Sequence, residues 1–178
     1  MNLEGSKTRK NLQDTFAGEC QARTRYDYYA KIADKEGYKH IAKIFNESAD
    51  NEFVHAGIMA RYLGMRDGST VEVLTISAAL EAHEAHEYYK QCAKDAKDEG
   101  FDEIATFYTE LAEVEEEHEK RFTRLAGRIT DGTMFKRDEV KRWHCLNCGY
   151  VHEGTEAPDA CPACKHPRAY FEVHCEEN

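Results

Sequence analysis

Three prolines and one tryptophan are all that 178 residues contain of either type. All three prolines fall in the last quarter, so long stretches are free to be helical. No run approaches the roughly 18 apolar residues that a membrane span requires, so no membrane partner is expected. Basic residues are in deficit, 24 against 34 acidic, which leaves a net charge of −10. That balance disfavours nucleic acid or anionic lipid as the main partner. The first residues, MNLEGSKTRKNLQDTF, have no apolar segment of the secretory kind, so a cytoplasmic location is expected. Cysteine is odd in number, seven, and four of these stand in two Cys-x-x-Cys pairs. That arrangement suits metal binding in a reducing compartment better than a disulfide framework.

What is present is helix-forming sequence in a repeated pattern. Apolar residues make up 41% and charged residues 33%, enough to build a core and too rich in core-formers for disorder to be the reading. Residues 7–35 and 38–64 flank a break at Glu36-Gly37, and residues 70–98 and 101–129 flank a like break at Glu99-Gly100. Shifted by 63 positions, the second helix lands on the fourth: Ile41/Ile104, Ala49/Ala112, Glu52/Glu115, His55/His118 and Gly64/Gly127 are identical. The first and third match at a shift of 62, through Ala17/Ala79, Glu19/Glu81 and Tyr26/Tyr88. A doubled helical hairpin predicts a mainly α protein built on a four-helix bundle with internal pseudo-twofold symmetry.

Acids interrupt the apolar stripe of each helix. The fourth reads Ile104, Tyr108, Leu111, Glu115, His118, Phe122, and the second Ile41, Phe45, Ser48, Glu52, His55, Met59. The first carries Glu19 and Tyr26, and the third Glu81, Glu84 and Tyr88. Five inward carboxylates at one level repel one another and resist desolvation, so they call for cations. Glu-x-x-His sets both side chains on one helix face, one turn apart. A lone copy is usually a solvated face, but two copies at corresponding repeat positions point to ligands. The mixed oxygen and nitrogen set of Glu19, Glu52, His55, Glu81, Glu84, Glu115 and His118 suits two ions of iron or manganese. The symmetry has one defect: Glu84 faces Ala22, so one half carries an extra carboxylate, either a redox-dependent ligand or a hydrogen-bonding neighbour of one.

Composition changes after Gly132. Residues 133–143 read as a linker and opening strand, and residues 144–178 as a separate small piece, after a bundle spanning 1–132. So short a piece buries little core and needs a cross-link or metal. Cys145, Cys148, Cys161 and Cys164 form C-x2-C-x12-C-x2-C, two knuckles that set four thiolates around one zinc or one iron. Trp143, Tyr150 and Phe171 are expected to shield the sulfurs. Cys20, Cys92 and Cys175 have no partner at metal spacing and read as buried or free thiols.

These motifs, Glu19-Cys-Gln-Ala-Arg, Glu52-Phe-Val-His55, Glu81-Ala-His-Glu84, Glu115-Glu-Glu-His118, Cys145-Leu-Asn-Cys148 and Cys161-Pro-Ala-Cys164, together resemble the rubrerythrin family, nearly end to end. The resemblance implies a ferritin-like bundle holding two irons and a C-terminal rubredoxin-like β module holding a third among four cysteines. It implies that Glu52 and Glu115 bridge the irons, that Glu19 and Glu81 are terminal ligands, and that His118 holds one iron. His55 and Glu84, the residues expected to act in catalysis, would alternate on the other. It further implies a homodimer that reduces hydrogen peroxide to water. Its electrons would come from an NAD(P)H-linked reductase or a rubredoxin, through the iron of the four-cysteine site. Oxidation of iron by oxygen and iron storage are the competing readings. Storage needs no one-electron relay in the same chain.

Overall fold

The computed structural model describes residues 3–174. Cys175 lies outside the described residues. The chain divides into two compact units at Gly68/Ser69, and each is described by itself.

The first unit is a hairpin of α1 (Lys7–Lys35) and α2 (Lys39–Tyr62). Ser6 caps α1, its hydroxyl accepting from the N–H of Arg9 at 3.0 Å. Gly37, at φ +89°, closes the helix in the left-handed region that glycine enters without penalty, and the N–H of Tyr38 returns to the carbonyl of Ala33 at 2.9 Å. The helices meet through small residues: Ala30 and Ala33 of α1 and Ala42, Ala49 and Ala56 of α2 are the buried ones.

The second unit repeats this plan with one irregularity. Here α3 (Thr70–His83) runs through a π-helical turn (Glu84–Tyr88) into α4 (Tyr89–Asp98), and α5 (Asp102–Thr130) returns beside them. Ala85, Ala96, Ala105 and Ala112 are buried, and Ala33/Ala96, Ala42/Ala105 and Ala49/Ala112 again stand 63 apart. The sequence predicts one unbroken helix over 70–98, and the π turn corrects that. It holds one residue more than an α turn, so an insertion is absorbed locally. The spacing agrees: seven positions separate Glu19 from Tyr26, and eight separate Glu81 from Tyr89. Hence Tyr26 corresponds to Tyr89, not Tyr88. Tyr26 packs on Phe45 at 5.9 Å and Tyr89 on Tyr108 at 5.8 Å, and Phe45 and Tyr108 stand 63 apart. The shift of 62 holds before the turn, the shift of 63 after it.

The large apolar residues of the stripes are not the buried ones. Ile41, Tyr62 and Ile104 are exposed, and no polar or charged residue among those described is fully buried. Alanines fill the closest approach of each helix pair, while the ends of the stripes are exposed and their middles, such as Phe45, Glu52 and Glu115, are half-buried beside it.

After α5 the chain forms β1 (Lys136–Cys145), β2 (Val151–Glu156) and β3 (Phe171–Val173), an antiparallel sheet of order β2-β1-β3. The segment expected as linker and opening strand is strand from Lys136 onward. Trp143 pairs with both His152 and Val173, is fully buried, and donates from its indole to the Gly154 carbonyl at 2.9 Å. With Cys145, Cys161, Ala157 and Phe171 it makes a core cluster, and Tyr150 packs against it. No helix among the described residues is long and apolar enough to cross a membrane.

Ser69 and Glu72 cap α3 reciprocally: the N–H of Ser69 donates to Glu72 Oε2 at 2.6 Å and the N–H of Glu72 to Ser69 Oγ at 3.3 Å. Those bonds hold the Glu72 carboxyl below its ordinary value. Its contribution is present above the ordinary value and is lost as pH falls through the lowered one. Ser69→Ala is expected to cost about 1 kcal/mol in chemical denaturation at neutral pH, and less in acid.

Candidate metal centres

Three groups of metal-ligating side chains converge. In the first hairpin Glu19 comes from the middle of α1, and Glu52 and His55 from one face of α2. Their ligand atoms lie within 4.8 Å of one another. His55 Nδ1 stands 2.9 Å from Glu52 Oε2 and 3.9 Å from Glu19 Oε2. In the second hairpin Glu81 of α3 meets Glu115 and His118 of α5 in the same pattern. There His118 Nδ1 stands 2.6 Å from Glu115 Oε2 and 3.7 Å from Glu81 Oε2. The repeat seen in the sequence is therefore a repeat of geometry, down to which ring nitrogen faces the acids.

The electrostatics of the triads point to cations. Glu19 and Glu52 are hydrogen-bonded carboxyl to carboxyl. That bond, with partial burial and the Glu52 charge, lifts Glu19 above the ordinary value, while Glu52 is held down by Glu19 and His55. Glu81 is likewise raised, by burial first and then by its hydrogen bond to Glu115. Two carboxylates at contact distance keep a proton unless a positive ion replaces it. Oxygen and nitrogen ligands about 2.0–2.2 Å from a single ion lie up to roughly 4 Å apart. The separations, 2.9 and 3.9 Å in one triad and 2.6 and 3.7 Å in the other, fit that span.

Glu84 is not gathered into its triad. It opens the π turn, its charge helps to raise Glu81, and it accepts a hydrogen bond from Tyr89. Burial, then the Glu84 and Glu115 charges, hold the Tyr89 phenol above its ordinary value, so it keeps its proton. The sequence pattern misses Tyr89 and offers Tyr88 instead. Tyr88 is 55% exposed and is hydrogen-bonded to Cys92. The signal for Tyr89 was present in the passage from a shift of 62 to one of 63. A further pair escaped the pattern altogether: His86 Nε2 meets Glu119 Oε2 at 2.8 Å, across from α5.

The third group is the four cysteines. Cys145 Sγ lies 3.8 Å from Cys164 Sγ, and Cys148 Sγ lies 3.7 Å from Cys161 Sγ. Sulfurs about 2.3 Å from one tetrahedral ion are about 3.8 Å apart, so the donor set fits without rearrangement. The knuckles are built alike. Gly149 and Lys165 follow the second cysteine of each in the left-handed region, and their N–H groups return to the carbonyls of Cys145 and Cys161, both at 2.9 Å. The next N–H groups, of Tyr150 and His166, donate to Cys148 and Cys164 sulfur. In Cys164 that bond from His166 leads, and the thiol falls to about 5. In Cys148 the N–H of Tyr150 pulls down, but contact with Cys164, burial and the other thiols push it up to about 12. Four sulfurs so close hold protons unevenly; one cation settles all four as thiolates. Cys145 and Cys161 are buried, and Cys148 is exposed. Cys20 is exposed and Cys92 half-buried, so neither is the fully buried thiol that was one of the expectations.

Comparison with known proteins agrees with this geometry over almost the whole chain. The rubrerythrin family model matches residues 10–79 and 72–144, and the model described as the rubredoxin-like domain of rubrerythrin matches residues 143–172. The chain belongs to the rubrerythrin family. It is 44% identical to rubrerythrin of Nitratidesulfovibrio vulgaris, with 97% of this chain and 96% of that protein covered. It is 45% identical to rubrerythrin of Porphyromonas gingivalis, covering 96% and 92%. To rubrerythrin of Clostridium perfringens it is 44% identical, covering 98% of each. Rubrerythrins are oxidoreductases with a di-iron site and a rubredoxin-like iron site of four cysteines. This chain has the carboxylate–histidine and four-cysteine donor sets for both. The rubredoxin-like part makes electron transfer part of its work.

The sites separate by substitution. His118→Ala should lower the iron content of the bundle and leave the visible colour of the cysteine-bound iron intact. Cys148→Ser should abolish that colour and leave bundle iron unchanged, both read by metal analysis and absorbance.

Proposed function

We propose that this protein reduces hydrogen peroxide to water and is itself re-reduced through its four-cysteine module. The observation that carries the reading is the combination in one chain of carboxylate–histidine triads with a four-cysteine site partly open to solvent. An oxidoreductase that stored iron, or used oxygen to oxidise it, would have no use for the second. The balance is simple: peroxide, two protons and two electrons give two waters. Iron held by the triads would supply the two reducing equivalents, and the four-cysteine module would restore them one electron at a time.

The chain's own residues divide the remaining tasks. Glu19, Glu52, Glu81, Glu115, His55 and His118 would hold the two irons, with Glu52 and Glu115 in the bridging role. The negative charge of the four carboxylates would favour the oxidised ions. Glu84 and His55 are assigned the exchange that accompanies a change of oxidation state. The hydrogen bond from Tyr89 supports that assignment, because it orients Glu84 outside the triad. The three segments of the functional plan are the bundle at 1–132, the link at 133–143 and the relay at 144–178. The electron donor is an NAD(P)H-linked reductase or a rubredoxin, and the working form is a homodimer in the cytoplasm.

An anaerobic experiment tests the reading. The protein is fully reduced and then given peroxide or oxygen separately, and re-oxidation is followed by absorbance. Re-oxidation much faster with peroxide is expected. Faster re-oxidation by oxygen would instead favour the iron-oxidising activity. Glu84→Ala should slow peroxide turnover at least tenfold with metal content preserved, and an unchanged rate would remove Glu84 from its role.

A further inference from the structure

The second hairpin carries a run of oxidisable side chains beside its triad. Tyr89 donates to the Glu84 carboxylate and stacks on Tyr108 at 5.8 Å. Tyr88 is its neighbour, with ring centroids 5.4 Å apart. Tyr88 is hydrogen-bonded in turn to Cys92, four residues on, and that thiol is half-buried. Tyr89, Tyr88 and Cys92 therefore follow one another from the extra carboxylate out to the surface, where Tyr88 is exposed.

The first hairpin shows what packing alone requires of these positions. There Tyr26 stands for Tyr89, but Tyr29 stands for Cys92 and Phe45 for Tyr108, each 63 positions earlier. Tyr88 closes the π turn, which α1 lacks. Tyr26 and Tyr29 lie 6.5 Å apart, with no thiol after them and no extra carboxylate before them. The join of phenol to thiol is thus confined to the half that carries Glu84, and it passes through a π turn, a feature frequent at functional sites. The chemistry agrees with the placement. Tyr89 keeps its proton, and a neutral phenol gives up an electron readily only if its proton leaves as well. Glu84 accepts the hydrogen bond from Tyr89 and so lies where that proton would go. Phenols and thiols bind their hydrogen with similar strength, so a one-electron gap passes between Tyr88 and Cys92 without a steep climb.

We propose that Tyr89, Tyr88 and Cys92 form a path by which a single oxidising equivalent leaves the bundle iron site for a surface thiol. This rests on the reading of that site as one that reduces peroxide. Peroxide takes two electrons, and re-reduction one electron at a time passes through a state that holds only one. Peroxide arriving then is one electron short. Tyr89 supplies it, and its proton crosses to Glu84. Tyr88 restores the electron to Tyr89 as the proton returns from Glu84. Cys92 restores Tyr88, and the sulfur loses one electron and one proton. In sum, one peroxide, one electron from the site, one proton from solvent and one hydrogen atom from Cys92 give two waters and a sulfur radical. That radical takes a hydrogen atom from a small aqueous thiol, and two thiols so oxidised join as a disulfide. The stray equivalent ends in solvent instead of on the ligands.

The test uses full-length, iron-loaded protein in which the bundle holds one electron and the four-cysteine iron is oxidised. It is mixed anaerobically with peroxide and a nitrone spin trap. Frozen samples are read by electron paramagnetic resonance, and trapped sulfur radicals are mapped by peptide mass spectrometry. Wild type should show a tyrosyl radical and a nitrone adduct on Cys92. Cys20 is the more exposed thiol, so direct attack by peroxide would mark it first, whereas the path leaves its adduct about tenfold below that of Cys92. Cys92→Ala should lengthen the life of the tyrosyl signal about tenfold. Tyr88→Phe, which keeps the ring, should remove most of the Cys92 adduct and leave a tyrosyl signal from Tyr89. Both variants should hold wild-type iron and be re-oxidised normally when fully reduced, because the two electrons are then already present. With 2-mercaptoethanol in place of the trap, wild type should form its disulfide about fivefold faster than Cys92→Ala. The inference is overturned by any of four results: no tyrosyl radical in wild type, an equal or larger adduct on Cys20, an undiminished Cys92 adduct in Tyr88→Phe, or an unchanged radical lifetime in Cys92→Ala. Slow re-oxidation of fully reduced protein by peroxide, with these radicals still formed, would overturn the proposed function and leave the path standing.

Discussion

Repulsion between like charges held at contact distance governs this chain. Two pairs of carboxylates and one set of four thiols are each brought closer than water would leave them, by helices and knuckles that do not otherwise need them there. Without a positive ion each group must keep protons, which is why Glu19 and Glu81 are raised and why Cys148 and Cys164 diverge. The protein stability that such clusters forgo is returned when metal binds.

The scaffold suits that task because it asks little of the ligands. Alanine contacts hold each hairpin together, so the metal-bearing faces are free to be specialised. The sheet module follows a different rule. Its core of Trp143, Phe171, Ala157, Cys145 and Cys161 is too small to stand on apolar burial alone, and two of these five are ligands. There the metal site and the fold are the same object.

Much of this was legible in the residues. The limits of α1 read directly from its apolar periodicity and from Gly37. The triads read from Glu-x-x-His at a repeat distance, and the four-cysteine site from spacing. These are local patterns, written by the pitch of a helix or the reach of a knuckle. What was not legible depended on register and on backbone. Tyr88 and Tyr89 both satisfy a stripe, and only the π turn decides between them. The alanine contacts were obscured because the larger residues of the stripe dominate any reading by hydrophobicity. Lys165 was silent because a lysine in a loop carries no mark of the φ it must adopt.

The π turn bears on the chain's history. Two hairpins that keep one register on either side of a single extra position are what duplication followed by a one-residue length change leaves behind. An ancestor with two equal halves could offer its metals only equal surroundings. Asymmetry here needs no new helix and no new loop: one surplus residue, accommodated within a single widened turn, accompanies an acid, Glu84, that the other half lacks.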